Sequence, residues 1–147
     1  MNIKPCYFDE YSQLQNISIE NNINNNGNLR FTFFGMLDLL SSKHKIEPFV
    51  LKCFTDDRYI GYCIFYFKYN HTIHISQICL SKAYQNKGLA KQIIEHFKAA
   101  KGIDMITADI ALENLQSKHF FEKNGFLMHK TNKEYYKAVY IKKIDAL

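Results

Sequence analysis

The segment Ile78-Cys79-Leu80-Ser81-Lys82-Ala83-Tyr84-Gln85-Asn86-Lys87-Gly88-Leu89-Ala90 joins a strand-like run directly to an amphipathic helix. At such a junction the first N–H groups of the helix lack partners, and the helix dipole adds positive potential. Gly88 and Ala90 add almost no bulk, so an anion can approach the backbone. Gln85, Asn86, Lys87, Gly88, Leu89 and Ala90 therefore have the make-up of a pyrophosphate cradle. The pattern lacks the paired glycines and the Lys-Ser/Thr step of a Walker loop, and the three glycine positions of a dinucleotide fingerprint. An ordinary glycine at a helix start produces the same local pattern, so these residues alone leave both readings open.

The strand before the cradle adds a second signal. Ile73 and Ile75 share one parity, whereas Ile78 and Leu80 share the other, so the apolar phase flips across Ser76-Gln77. One extra residue in a β-bulge swaps the faces in this way and frees backbone groups for a ligand. A strand buried on both faces gives the same pattern without a bulge.

These residues carry a resemblance. A strand, then Leu80-x-x-x-Tyr84-Gln85-x-x-Gly88-Leu89-Ala90, then a helix is similar to the acetyl-CoA-binding motif of the GNAT superfamily of N-acetyltransferases. Further on, Asn114-x-x-Ser117-x-x-Phe120-Phe121-Glu122-Lys123-Asn124-Gly125-Phe126 resembles the second signature of that superfamily. The resemblance implies a division of labour. Backbone groups of Ile78, Cys79 and Leu80 would pair with the pantetheine arm of acetyl-CoA, and residues 85–90 would hold its pyrophosphate. Asn114 would hydrogen-bond the same co-substrate, and Phe121 and Phe126 would pack near the acyl end and the core. The strands at Leu80 and at residues 104–112 would splay to admit it.

Two departures from the family pattern bear on the chemistry. Phe121 stands where a tyrosine often protonates the departing thiolate, and a phenyl ring has no proton to give. No glutamate lies between Thr72 and Leu80, where the family often keeps its general base. His74 is the first substitute by position, since imidazole titrates near neutrality. His119 and Asp109 follow it, and water can also relay the proton. Tyr135, Tyr136 and Tyr140 are candidates to line an acceptor pocket. Cys79 sits in an apolar strand without a paired base, which argues against a nucleophilic thiol.

The elements that must position these groups follow from periodicity and turn residues. Residues 3–8 read as a short strand, and Asp9 as the cap of a helix carrying Tyr11, Leu14 and Ile17. Residues 21–28, rich in asparagine, read as a mobile loop, followed by a helix over residues 29–43 burying Phe33, Met36, Leu37 and Leu40. Strands are predicted at 49–54, 59–67, 72–80, 104–112, 126–130 and 135–144, and helices at 88–101 and 114–124. The order β-α-α-β-β-β-α-β-α-β-β gives an α/β (α+β) fold, with a mixed sheet flanked by helices and a parallel crossover from Thr72 to Leu112. The GNAT resemblance makes the rest of that sheet mostly antiparallel. No linker divides the chain, so residues 1–147 are expected to form one domain.

Composition bounds the partners. Apolar residues make up 47% of the 147-residue chain and charged residues 22%, which excludes global disorder. The formal net charge is +5, but it comes from 17 Lys and 2 Arg spread along the chain, which argues against a nucleic-acid ligand. No apolar run suits a membrane span or a signal peptide, and Cys6, Cys53, Cys63 and Cys79 match no metal or disulfide pattern. A cytoplasmic protein without a metal follows. The expected activity is acetyl transfer from acetyl-CoA to a primary amine of a small molecule or peptide. The amine would attack the thioester directly, with strand amides near Cys79 and Leu80 facing the oxyanion. The rivals are a CoA-binding module that has lost catalysis, and an acyltransferase acting on an RNA- or ribosome-associated acceptor.

Overall fold

A computed structural model describes residues 1–22, 32–69, 71–131 and 133–142. Its elements are β1 (Asn2–Pro5), α1 (Tyr11–Asn22), α2 (Phe33–Asp38), β2 (Phe49–Thr55), β3 (Arg58–Phe67) and β4 (Thr72–Leu80), followed by α3 (Leu89–Lys98), β5 (Met105–Ala111), α4 (Leu115–Lys123), β6 (Leu127–Lys130) and β7 (Tyr135–Ile141). The order is the one the sequence predicts. The strands form a seven-stranded sheet in the order β1-β2-β3-β4-β5-β7-β6. β4 and β5 run parallel. The pairs β1/β2, β2/β3, β5/β7 and β6/β7 run antiparallel.

The chain folds into two compact units. The first comprises Met1–Tyr66 and Ser76–Ile93. Its core gathers Leu14 and Ile17 of α1, Phe33 of α2, Leu40, Val50, and Tyr62 and Ile64 of β3. Each such side chain, fully buried, contributes about 1.5–3 kcal/mol. β3 is buried almost from end to end, as a strand inside a sheet should be. Gly61 sits in it where a Cβ would stand 2.7 Å from the Cys79 carbonyl oxygen and 2.5 Å from Leu80 Cδ2. Only a residue without a side chain lets β4 lie this close.

Three local expectations change in this unit. The first strand stops at Pro5, and Phe8–Glu10 form a 3-10 turn, so Asp9 lies within the turn and is not a cap. Proline has no N–H to extend a ladder. α1 runs on to Asn22, taking in two residues of the expected loop, because Asn21 donates to the carbonyls of Ile17 (3.0 Å) and Leu80 (2.9 Å). Residues 23–28 of that loop, and residues 29–31 of the expected second helix, lie outside the described residues. The second helix is capped by Thr32, whose Oγ1 accepts from the Gly35 N–H at 3.1 Å, and it widens into a π turn over Leu39–Lys43. Phe33 and Leu40 are buried, whereas Met36 and Leu37 pack at the edge of the core.

The second unit comprises Phe67–Ile75 and Ile94–Leu147. Here β5 lies between the first half of β4 and β7. Ile106, Ala108 and Ile110 bury one face of β5, and Phe121 and Phe126 pack edge to face at 5.0 Å between ring centroids. Gly102 and Gly125, at φ +81° and +90°, take the left-handed conformation that ends each helical segment. β7 ends at Ile141, and residues 143–144 of the predicted strand lie outside the described residues. The β4/β5 ladder is regular from Thr72↔Met105 to Ile75↔Ala108 and goes no further, although β5 stays paired with β7 to Ala111. The ladder therefore stops where the apolar phase changes. In its paired half, Ile73, His74 and Ile75 are all buried, so both faces of the strand are covered there. An irregularity of register is found between Cys53 and Phe54 in β2.

Candidate functional site

The loop expected to be the cradle lies in the first unit. After Leu80 the chain makes a 3-10 turn at Lys82–Tyr84 and then leaves Gln85 extended. Asn86 and Gly88 both turn left-handed, at φ +60° and +76°, before α3 begins at Leu89. Asparagine and glycine are the residues that take this conformation most readily. Asn86, Lys87 and Gly88 are exposed, and a Cβ on Gly88 would meet nothing within 4 Å. The loop therefore needs glycine for its backbone conformation and not for lack of room. The first turn of α3 holds no acidic side chain to compete for an anion.

The end of α1 fixes this loop. Gln85 Nε2 donates to Asn21 Oδ1 at 2.6 Å and to the Leu80 carbonyl at 2.9 Å. The Asn21 amide donates to the same Leu80 oxygen at 2.9 Å. Glu20 accepts from the Lys82 N–H at 3.0 Å. Two side-chain amides thus already use the Leu80 carbonyl, which removes that acceptor from the backbone groups of Ile78, Cys79 and Leu80 open to a ligand. Cys79 is half-buried and its thiol is pushed up to about 11 by burial, so it remains a neutral thiol. Tyr62, fully buried, donates to Gln77 Oε1 at 2.7 Å.

In the second unit Asn114 is the N-cap of α4, with Oδ1 accepting from the Ser117 N–H at 3.1 Å. Its acceptor oxygen is committed to the helix, and only the exposed Nδ2 donors remain for a ligand. Phe121 is buried on the core side of α4 against Phe120 and Phe126. Tyr140 joins this packing beside Phe126, with the Lys98 ammonium 4.4 Å above its ring. The Lys118 ammonium stands 5.2 Å over Tyr136. These tyrosines are thus occupied by packing. His119 is exposed.

His74 is the sequence candidate with the most developed surroundings. It is 6% exposed, with Nδ1 2.7 Å from Thr107 Oγ1 and Nε2 3.6 Å from Asp109 Oδ2. Register explains this: His74 pairs with Thr107, and Asp109 follows two residues on, on the same face of β5. Burial holds the imidazole below its usual value, Asp109 pulls it back up, and Lys68 and Lys137 push it down. The ring is therefore neutral at neutral pH. Asp109, directly across from Lys137 of β7, is the exposed member. Two of the sequence candidates, His74 and Asp109, thus meet. Thr107 and the two lysines carried no signal in the sequence, because only strand register brings them together.

A mixed, mostly antiparallel seven-stranded sheet with a Gly-bearing loop opening into α3 and a capped α4 defines a fold shared with known acetyltransferases. Residues 8–126 match the Acetyltransferase (GNAT) family, and the chain belongs to it. It is an acyltransferase, and its acetyl donor is acetyl-CoA. No curated protein matches the sequence. Among solved structures, PaiA N-acetyltransferase from Thermoplasma acidophilum, in complex with coenzyme A, is 18% identical with TM-score 0.70, over 98% of this chain and 100% of that one. An acetyltransferase from Thermus thermophilus is 17% identical with TM-score 0.75, over 95% and 96%. A mutant of spermidine N-acetyltransferase SpeG from Vibrio cholerae is 18% identical with TM-score 0.65, over 96% and 93%. Among the described residues, no helix is long and apolar enough to cross a membrane.

Proposed function

We propose that residues 1–147 work as one N-acetyltransferase domain that moves the acetyl group of acetyl-CoA to a primary amine by direct attack. The observation that carries this reading is the pair of left-handed residues, Asn86 and Gly88, which open the N-terminus of α3 to solvent with no acidic neighbour in its first turn. Such a loop fits a pyrophosphate. Backbone N–H groups of residues 85–90 would hold it, the N–H and C=O groups of Ile78 and Cys79 with the N–H of Leu80 would pair with the pantetheine arm, and Asn114 Nδ2 would donate to the same molecule. Phe121 would supply apolar contact. Acetyl-CoA supplies an acetyl group already activated as a thioester.

The proton chemistry falls to His74 and Asp109. Thr107 Oγ1 can accept from or donate to Nδ1; in the tautomer whose Nδ1–H donates to Thr107, Nε2 carries the lone pair 3.6 Å from Asp109. An acceptor ammonium set against Asp109 can pass one proton to Nε2, and Asp109 then steadies the imidazolium. Phe121 gives no proton, so solvent water protonates the leaving sulfur. The four free cysteines fit a reducing cytoplasm.

Thiol release from acetyl-CoA, followed over a panel of primary amines, tests this reading. Wild type should turn over, and His74→Ala should slow it about 10²–10⁴-fold while calorimetry finds its acetyl-CoA affinity unchanged. No release with any amine, from a protein that binds acetyl-CoA, would replace the enzyme with a CoA-binding module. A rate that survives His74→Ala would remove His74 as the base.

A further inference from the structure

Beside His74 the second unit carries a charge imbalance that proton transfer does not require. Thr107, Asp109 and Lys137 share one sheet face with His74, and His129 of β6 stands opposite Lys137. Lys68 enters from the turn before β4, where its N–H donates to the Thr72 carbonyl at 2.8 Å. Lys68 and Lys137 are both half-buried. Burial depresses the Lys68 ammonium, Lys137 depresses it further, and Asp109 opposes both. Among the described residues, neither lysine has a carboxylate within ion-pair distance, and Asp109 is turned to His74. Two neighbouring ammonium groups thus share one carboxylate that is itself engaged. Like charges repel, and an added anion would relieve them.

We infer that Lys68 and Lys137 form the recognition point for an anionic group on the acceptor, so that the acetylated substrate is an amine bearing a carboxylate or a phosphate. This rests on the acetyltransferase reading and names its substrate class. Such an acceptor places its ammonium against Asp109 and His74 and its anion between the two lysines. In the transfer, the amine nitrogen bonds the acetyl carbon as the carbon–sulfur bond breaks. Of the two protons the nitrogen loses, one goes to His74 and the other to water, and water returns one to the departing sulfur, so the net proton stays on His74. A polyamine meets the opposite situation, because its second ammonium would face two more.

Competition among acceptors tests the assignment. Free α-amino acids, ω-aminoalkyl phosphates, simple alkylamines and spermidine would be compared at equal concentration by thiol release. One of the two anionic classes should lead, and which of them leads separates carboxylate from phosphate. Lys68→Gln and Lys137→Gln should each raise KM for that acceptor about tenfold and should not raise KM for an alkylamine. A preference for spermidine or alkylamines, or an equal loss on all acceptors, would overturn the inference. Calorimetry with N-acetylglycine and with inorganic phosphate adds a readout that needs no catalysis. Binding of either, lost in both variants with unchanged melting temperature, supports the anion site even if no amine is acetylated. Absence of binding by wild type sinks it whatever the enzyme does.

Discussion

At the scale of single residues, Gly88 separates conformation from room. Its φ of +76° is a glycine conformation, and the space beside it is open. Gly88→Ala should therefore cost about 1 kcal/mol of loop strain without a clash. Gly88→Glu adds a negative charge at the mouth of the cradle as well. Calorimetry should show a more than tenfold loss of coenzyme A affinity for Gly88→Glu, well beyond that for Gly88→Ala, with both proteins folded. Equal affinities in the two variants would mean that no anion is held there. The loop geometry behind the proposed cradle was legible in the sequence because its residues are neighbours in the chain. Asn114 was legible only in part. Its motif marked it for the co-substrate, and the fold adds that its oxygen is the cap of α4.

Among elements, the tie between α1 and the cradle loop is the feature that periodicity missed. Asparagine-rich stretches favour turns, whereas the tertiary bonds of Asn21 and Glu20 help to hold helix at the end of α1. Asn21→Ala removes one donor to Leu80 and the acceptor of Gln85. The cost to folding should be about 1 kcal/mol, as for a part-buried hydrogen bond. The larger effect should appear as a raised KM for acetyl-CoA with kcat little changed, since the loop loses its anchor and the chemistry does not. A fall in kcat at constant KM would place Asn21 in the chemistry instead. The strands tell the opposite story. Runs of β-branched and aromatic residues made β2 and β3 readable, but no sequence pattern states that His74 lies opposite Thr107, or Asp109 opposite Lys137. Half of the proposed catalytic neighbourhood is a matter of register, which long-range packing decides.

For the molecule as a whole, the buried imidazole couples stability to pH. His74 is held neutral in the fold, with its pKa below the ordinary value of about 6.5, so the unfolded chain binds its proton first as pH falls. The stability it contributes is complete above that ordinary value and declines below it, by up to about 1.4 kcal/mol per pH unit until the folded pKa is reached. Urea midpoints at about pH 7.5 and about pH 5.5 should differ for wild type and much less for His74→Gln. Equal drops in both proteins would assign the effect elsewhere. Glu10, whose carboxylate takes hydrogen bonds from Lys52 and Tyr59, is held below its usual range and acts only in the more acid window. One last consequence follows from how the chain is distributed. It passes between its two compact units three times, at residues 66/67, 75/76 and 93/94, the second time in the middle of β4. In genetic terms, no single crossover in the coding sequence can deliver one unit without carrying part of the other, so recombination has no clean seam at which to exchange them.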